Sequence, residues 1–242
     1  ITRTYTYPNS CTQPGRKETF CSICGYVESS EEIPAGHHFS AWETVSEATV
    51  LAPAVQARTC SVCGTKETRN NGSKLTPTIK VTATKFPLKF RQKTTVLKVS
   101  GLAKGDSIVS WKSSNTSIAK VNGRANGTST ITAGKKKGKA TITVTLKSGL
   151  KKNITVTVQK KAVKTTKISG VAKKLKLKRK QSATLKPVVA PLTSLQKVTY
   201  KSSNKKVATV NSKGKITAKK KGTSVITVKS GNKTVKCKVT VK

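Results

Sequence analysis

Two short segments of the chain place paired thiols where they can hold a metal ion. Phe20-Cys-Ser-Ile-Cys-Gly-Tyr26 and Thr59-Cys-Ser-Val-Cys-Gly-Thr65 each carry Cys-x-x-Cys followed by Gly. That spacing aims two thiolates at one ion, and the Gly permits the tight bend that follows. The two knuckles are separated by 35 residues. Together Cys21, Cys24, Cys60 and Cys63 make a tetrahedral four-cysteine set of the kind that holds structural zinc. A second set is also compatible with the spacing: Cys11, Cys21, Cys24 and His37, a site of three cysteines and one histidine within one unit, with His37 and His38 following Pro34-Ala35-Gly36. The segments around Cys21 and Cys60 read as two copies of one motif. Val50 stands where Cys11 would fall in the second copy, and no His follows Cys63. The second copy has thus lost ligands yet keeps its knuckle, which favours the shared four-cysteine set; both sets stay open. Disulfides are a further use of these cysteines in an exported protein. A redox Cys-x-x-Cys is expected to open a helix, and no helical period follows either pair.

The rest of the chain offers little other chemistry. Residues 1–74 carry seven basic and seven acidic side chains, whereas residues 75–242 carry 42 basic ones and a single acid, Asp106. No carboxylate pair for acid–base work exists in the basic part. It also has no His, so a Ser-His-Asp arrangement cannot form within it. The Gly-Lys run at 134–138 is expected to be a turn, since no helix follows to make a phosphate cradle. The chain is therefore expected not to be an enzyme. A net charge of +41 attracts polyanions, or keeps a β-rich surface soluble. Only three of the basic residues beyond 75 are Arg (Arg91, Arg124, Arg179), and stacking aromatics are few, so no specific nucleic-acid binding is expected.

The elements that must carry these residues show as an internal repeat. Trp111-Lys-Ser-Ser-Asn-Thr-Ser-Ile-Ala-Lys-Val121 matches Tyr200-Lys-Ser-Ser-Asn-Lys-Lys-Val-Ala-Thr-Val210. Ile131-Thr-Ala133 matches Ile216-Thr-Ala218, and Ile154-Thr-Val-Thr-Val158 matches Cys237-Lys-Val-Thr-Val241. Ala140, Ile142, Val144 and Leu146 alternate with threonines, the period of a sheet with one buried face. Six or seven short strands per copy predict a β-sandwich, with Trp111 or Tyr200 in each core. Cys237 takes the place of Ile154 and is expected to be a buried small hydrophobe. In residues 173–180, Leu175 and Leu177 are expected to face the core while the lysines point outward.

These matched segments, found twice and in order, resemble the bacterial Ig-like domain group 2 family. The resemblance covers residues 77–159 and 163–242, joined by the linker Gln159-Lys-Lys-Ala-Val163, with the cysteine-rich module at residues 1–74. It implies two tandem Ig-like β-sandwiches, mostly β throughout, preceded by a small zinc-ribbon-like module. The module itself resembles short C-x-x-C-G…G-H repeats in surface proteins of Gram-positive anaerobes. The family has no shared catalytic residue and occurs in tandem on bacterial surface proteins, adhesins among them, and as a spacer beside catalytic domains. The resemblance implies an extracellular, surface or secreted location and a non-catalytic part in adhesion or host-protein binding. The expected partner is a host surface or secreted protein (immunoglobulin, mucin or matrix protein) or a cell-wall polyanion. A structural stalk, or a wall-binding accessory region of an exported enzyme, is the alternative. The chain is expected to be monomeric, with structural zinc as its one cofactor. It begins Ile1-Thr2-Arg3 rather than at Met, as expected of a fragment or processed form, and no stretch is apolar enough to span a membrane.

Overall fold

Threonine and β-branched residues in strict alternation leave this chain one regular option, and the computed structural model, which describes all of Ile1–Lys242, contains strands and no helix. Contacts divide it into two units: Ile1–Pro77 with Ala103–Asp106, and Thr78–Leu102 with Ser107–Lys242. No helix is long and apolar enough to cross a membrane.

The first unit is two copies of one three-stranded antiparallel meander. β1 (Thr2–Tyr7), β2 (Gly15–Cys21) and β3 (Val27–Ile33) make one sheet; β4 (Glu43–Ser46), β5 (Ala54–Thr59) and β6 (Lys66–Asn71) make the other. In both, the Cys-x-x-Cys-Gly knuckle forms the turn between the second and third strands. Gly25 and Gly64 adopt φ of 72° and 74° there, a backbone conformation that costs glycine nothing.

In the second unit, β7 (Lys80–Val81), β8 (Lys85–Lys89), β9 (Lys93–Thr94), β10 (Val99–Ser100), β11 (Ile108–Ser113), β12 (Ala119–Gly123), β13 (Ser129–Ala133), β14 (Gly138–Leu146) and β15 (Lys151–Gln159) build the first sandwich. β16 (Lys167–Ser169), β17 (Lys174–Leu177), β18 (Ser182–Thr184), β19 (Val188–Ala190), β20 (Val198–Ser202), β21 (Ala208–Val210), β22 (Lys215–Ala218), β23 (Gly222–Ser230) and β24 (Lys233–Val241) repeat it. The count exceeds the six or seven expected because each copy adds a short ribbon, β7 with β10 and β16 with β19. The four-stranded sheets run β11-β14-β15-β8 and β17-β24-β23-β20. In each, the last long strand pairs in parallel with an early one, β15 with β8 and β24 with β17.

The repeated Ser-Ser-Asn has a structural cause in each copy. Ser113 and Ser202 donate to the carbonyls of Ala119 and Ala208 at 2.7 and 2.6 Å. Ser114 and Ser203 accept the N–H of Thr141 and Val225 at 2.9 and 2.8 Å. Asn115 and Asn204 cap the turn by accepting the N–H of Ser117 and Lys206, both at 3.0 Å. The cores hold Ile142, Val144, Ile154 and Val156 in one copy and Ile226, Val228, Cys237 and Val239 in the other, all fully buried. Cys237 pairs across from Ile226 as Ile154 does from Ile142. Leu177 is buried and Leu175 packs against the same core, whereas Lys174 and Lys176 are exposed. Trp111 and Tyr200 differ from expectation: each is half-buried at the core margin rather than inside it. Their rings lie over Gly123 and Gly214, where a Cβ would meet the ring atoms, and this glycine is the room each ring needs.

Candidate metal centre

A four-residue cluster forms in the first unit. Cys11 lies in the loop between β1 and β2, His37 in the stretch joining the two meanders, and Cys60 and Cys63 on the second knuckle. Their potential ligand atoms all lie within 4.8 Å of one another. Cys11 Sγ is 3.5 Å from Cys60 Sγ, and His37 Nδ1 is 3.2 Å from Cys63 Sγ. Tetrahedral zinc, with bonds of about 2.3 Å to sulfur and about 2.0 Å to nitrogen, requires ligand separations of roughly 3.5–3.8 Å. Three sulfurs and one imidazole at these distances fit it with small adjustments.

Backbone pairing brings the cluster together. Phe39 forms a bridge with Cys60, Ser40 N–H donates to Thr59 O at 3.0 Å, and Ser61 N–H donates to His38 O at 3.0 Å. The Ser61 hydroxyl donates to the same carbonyl at 3.2 Å. The segment carrying His37 is thereby laid along the approach to the second knuckle. The His37 ring also lies 5.1 Å from that of Phe39. Arg58 sits over both Phe39 and Trp42, at 4.2 and 4.6 Å from the ring centres. It also pairs with Glu67 at 2.7 Å.

The thiols share their protons unequally. The Cys60 thiol is pulled down to about 5, chiefly because the Cys63 N–H points at its sulfur, with help from the Val62 N–H, His37 and Cys11. Cys11 is pushed up to about 12, chiefly by its hydrogen bond to Cys63 and then by burial and Cys60. Cys63 is lowered, first by the Thr65 hydroxyl and its N–H; that hydroxyl donates to the sulfur at 3.1 Å. His37 is raised by its hydrogen bonds to Cys60 and Cys63. The metal-free cluster is thus a thiolate site that still holds the Cys11 proton, which a metal ion would displace.

Of the residues expected from sequence, the cluster takes Cys60 and Cys63 from the four-cysteine set, and Cys11 and His37 from the alternative set. Cys21 and Cys24 are not among its four members. They form the first knuckle, where the Cys24 and Ile23 N–H groups lower the Cys21 thiol. All six cysteines are free thiols. Thr65, which orients Cys63, went unnoticed in the sequence; its place two residues after the knuckle was the available signal. His38 contributes its carbonyl rather than its ring.

Residues 76–158 match the family described as bacterial Ig-like domain (group 2), and residues 196–242 match a bacterial Ig-like domain. Nothing among curated proteins matches the chain. Among solved structures, domains 5–6 of the S-layer protein SbsC share 20% identity, covering 68% of this chain and 97% of that one at a TM-score of 0.37. SbsC domains 4 and 5 share 24% identity over 55% of this chain and 75% of that one, at 0.33. Invasin, a bacterial integrin-binding protein, shares 15% identity over 99% of this chain and 59% of its own, at 0.26.

Proposed function

We propose that this chain, whose residues 76–158 match the bacterial Ig-like domain (group 2) family, is a non-catalytic region of a bacterial surface protein, acting outside the cell in adhesion to an anionic, mucin-type glycoprotein. One observation carries the choice of partner. The outer face of the sheet β17-β24-β23-β20 presents Lys174, Lys176, Lys201, Lys229, Lys236 and Lys238, all exposed. Lys174 stands directly across from Lys238, and no carboxylate lies on these four strands. The remaining outward positions are largely threonine. Such a flat cationic face with hydroxyl donors suits a sulfated or sialylated polymer more than an apolar protein patch. The corresponding face of the first sandwich is also cationic, with exposed Lys85, Lys89, Lys112, Lys139 and Lys151 among the outward Thr141, Thr143, Thr155 and Thr157. In the first unit, the clustered cysteines and His37 serve a structural zinc that holds its two meanders together.

The test is retention of the chain on immobilised mucin through a salt series, beside Lys174→Glu/Lys238→Glu. We expect binding that weakens steadily with salt and falls at least tenfold in the variant, with the sandwich still folded by NMR. Equal binding by the variant overturns the lysine face. Retention on purified wall polymer but not on mucin overturns the host partner.

A stalk is the second reading, and one joint favours it. Thr193 donates its hydroxyl to Pro87 O at 2.6 Å, and Gln92 donates its side-chain amide to Thr193 O at 2.9 Å. Val163, at the end of the linker, is buried along with Thr193. A stalk predicts that the two sandwiches tumble together in NMR relaxation, that Thr193→Val uncouples them, and that nothing is retained from mucus.

A further inference from the structure

We propose that the first sandwich carries a binding site for an acidic sugar, a cleft at its open edge between β11 and β12 that takes one sugar ring bearing a carboxylate or a sulfate. The inference rests on the mucin reading, and it adds to the lysine face of the second sandwich a site for a single sugar unit.

The repeat itself marks the place. The hairpin between Val121 and Ile131 is four residues longer than the one between the matched Val210 and Ile216. The longer hairpin sets Arg124 just beyond β12, where the second copy has Asn211-Ser-Lys-Gly214. Its backbone is held firmly. Arg124 N–H donates to Thr128 O at 2.9 Å, Gly127 N–H to Arg124 O at 3.1 Å, and Val99 N–H to Gly127 O at 2.8 Å. Asn126 Oδ1 accepts the N–H and the hydroxyl of Thr128 at 3.1 and 2.7 Å. The Trp111 indole N–H, donating to Arg124 O at 3.3 Å, ties the hairpin to β11. An arginine on so fixed a backbone gives up less freedom when it binds.

A depression lies on each side of this hairpin, and Asn122 and Arg124 line both. Between β11 and β12 is a cleft of about 360 Å³, walled by Trp111 and by Val109, which is 58% exposed, with Ser110 beside them. Toward β13 is a hollow of about 260 Å³, lined also by Lys98, Thr95 and Thr128. The cleft has the size of the smaller ligand pockets, which run from about 300 to 1,000 Å³. Its lining suits a sugar, with apolar surface for the C–H face of the ring and amide and hydroxyl groups for its hydroxyls. The hollow supplies the charge. Arg124 and Lys98 are exposed at its border, and neither depression has a carboxylate in its lining. The guanidinium offers a fork of donors that matches a planar or tetrahedral oxyanion. A ring seated against Trp111 thus sets its acidic group at Arg124, with Lys98 beyond. The second sandwich has a cleft beside Tyr200 with Lys201 and Lys205 but no arginine, so the site belongs to the first copy.

Two-dimensional NMR of the intact chain tests this with sialyllactose, sulfated lactose and lactose. Of the two tryptophans, Trp42 and Trp111, only Trp111 should show a shifted indole N–H, together with the amides of residues 122–128, saturating at millimolar ligand. A response to sialyllactose names a carboxylate ligand, and a response to sulfated lactose a sulfate. Lactose should bind at least about tenfold more weakly, and Arg124→Gln, which keeps the backbone bonds of the hairpin, should weaken the acidic probes by about as much. Lys174→Glu/Lys238→Glu should leave the shifts unchanged. No shift at Trp111 with either acidic probe, equal binding of lactose, or undiminished binding by Arg124→Gln overturns this site, and mucin retention by the lysine face then stands or falls on its own test. Shifts that vanish in Lys174→Glu/Lys238→Glu assign the sugar to the lysine face and overturn the site as well.

Discussion

Stripping the metal should melt the first unit and leave the sandwiches intact. Among residues 1–77, Val50 and Cys60 are the only apolar side chains that are buried. Burying one valine contributes only about 2 kcal/mol. Neither three-stranded meander has an apolar face of its own to cover: every residue of β1 is exposed, and β3 and β4 are nearly so. Structural zinc in small modules binds with about 10–16 kcal/mol, so an ion held at the proposed site would dominate the stability of this unit. At free zinc about a thousandfold above the dissociation constant, linkage gives about 4 kcal/mol of stabilisation. With about 4–8 °C of melting shift per kcal/mol for a domain of this size, chelation should lower the first transition by roughly 15–30 °C. The two core clusters of the sandwiches contain none of the ligands, so the second transition should stay where it is. Calorimetry with and without chelator reads both at once, and amide exchange in β5 and β6 identifies the part that melts. Unchanged first-unit melting, or β5 and β6 amides that stay protected without metal, would refute the reasoning.

Three further outcomes follow from named residues. In the metal-free chain, Cys60, lowered from 9.0 to about 5, contributes stability that is whole above pH 9 and is lost as pH falls through 5. Cys11, raised from 9.0 to about 12, contributes stability that is whole below pH 9 and is lost as pH rises through 12. Urea midpoints of the first unit should therefore peak near pH 9, His37 opposing the rise only around its own titration; a profile falling steadily from pH 5 to 9 contradicts the proton sharing. Gly123→Ala drives a methyl onto the Trp111 ring, which is tethered by its indole N–H to Arg124 O at 3.3 Å. It should cost about 1–3 kcal/mol, recovered in part by adding Trp111→Leu; wild-type melting would show that the ring swings aside freely. Cys237 is fully buried, and burial pushes its thiol up, so thiol reagents should modify it only at the rate the second sandwich unfolds. Early labelling of Cys237 in peptide mapping would contradict its place in the core.

The sandwiches were legible because their signals are local and duplicated. Ala140, Ile142, Val144 and Leu146 declare a buried face by spacing alone, and Ser-Ser-Asn declares its turn through bonds spanning a few residues. Trp111 and Tyr200 were harder to place: their size argued for the core, while the glycines that let them lie at its margin, Gly123 and Gly214, stand apart in sequence. Nothing local announces that a ring at one position requires a missing side chain at another.

The candidate metal ligands show where spacing stops being informative. Cys-x-x-Cys fixes which two thiols share an ion, because three residues of backbone decide it. It does not fix which distant pair completes the site, because a loop of tens of residues can close at small entropic cost on several partners. What decided here was strand pairing: the bridge from Phe39 to Cys60 and the bonds from Ser61 to His38 deliver His37 to the second knuckle. The degenerate copy carried the same message in its own way. Val50, in place of a cysteine, is buried, because the loop of the second meander serves packing, whereas the Cys11 loop of the first serves the knuckle that follows it. The first copy lends Cys11 and His37 to the second knuckle, and the second copy, with Val50 and no following His, has no further knuckle after it to serve.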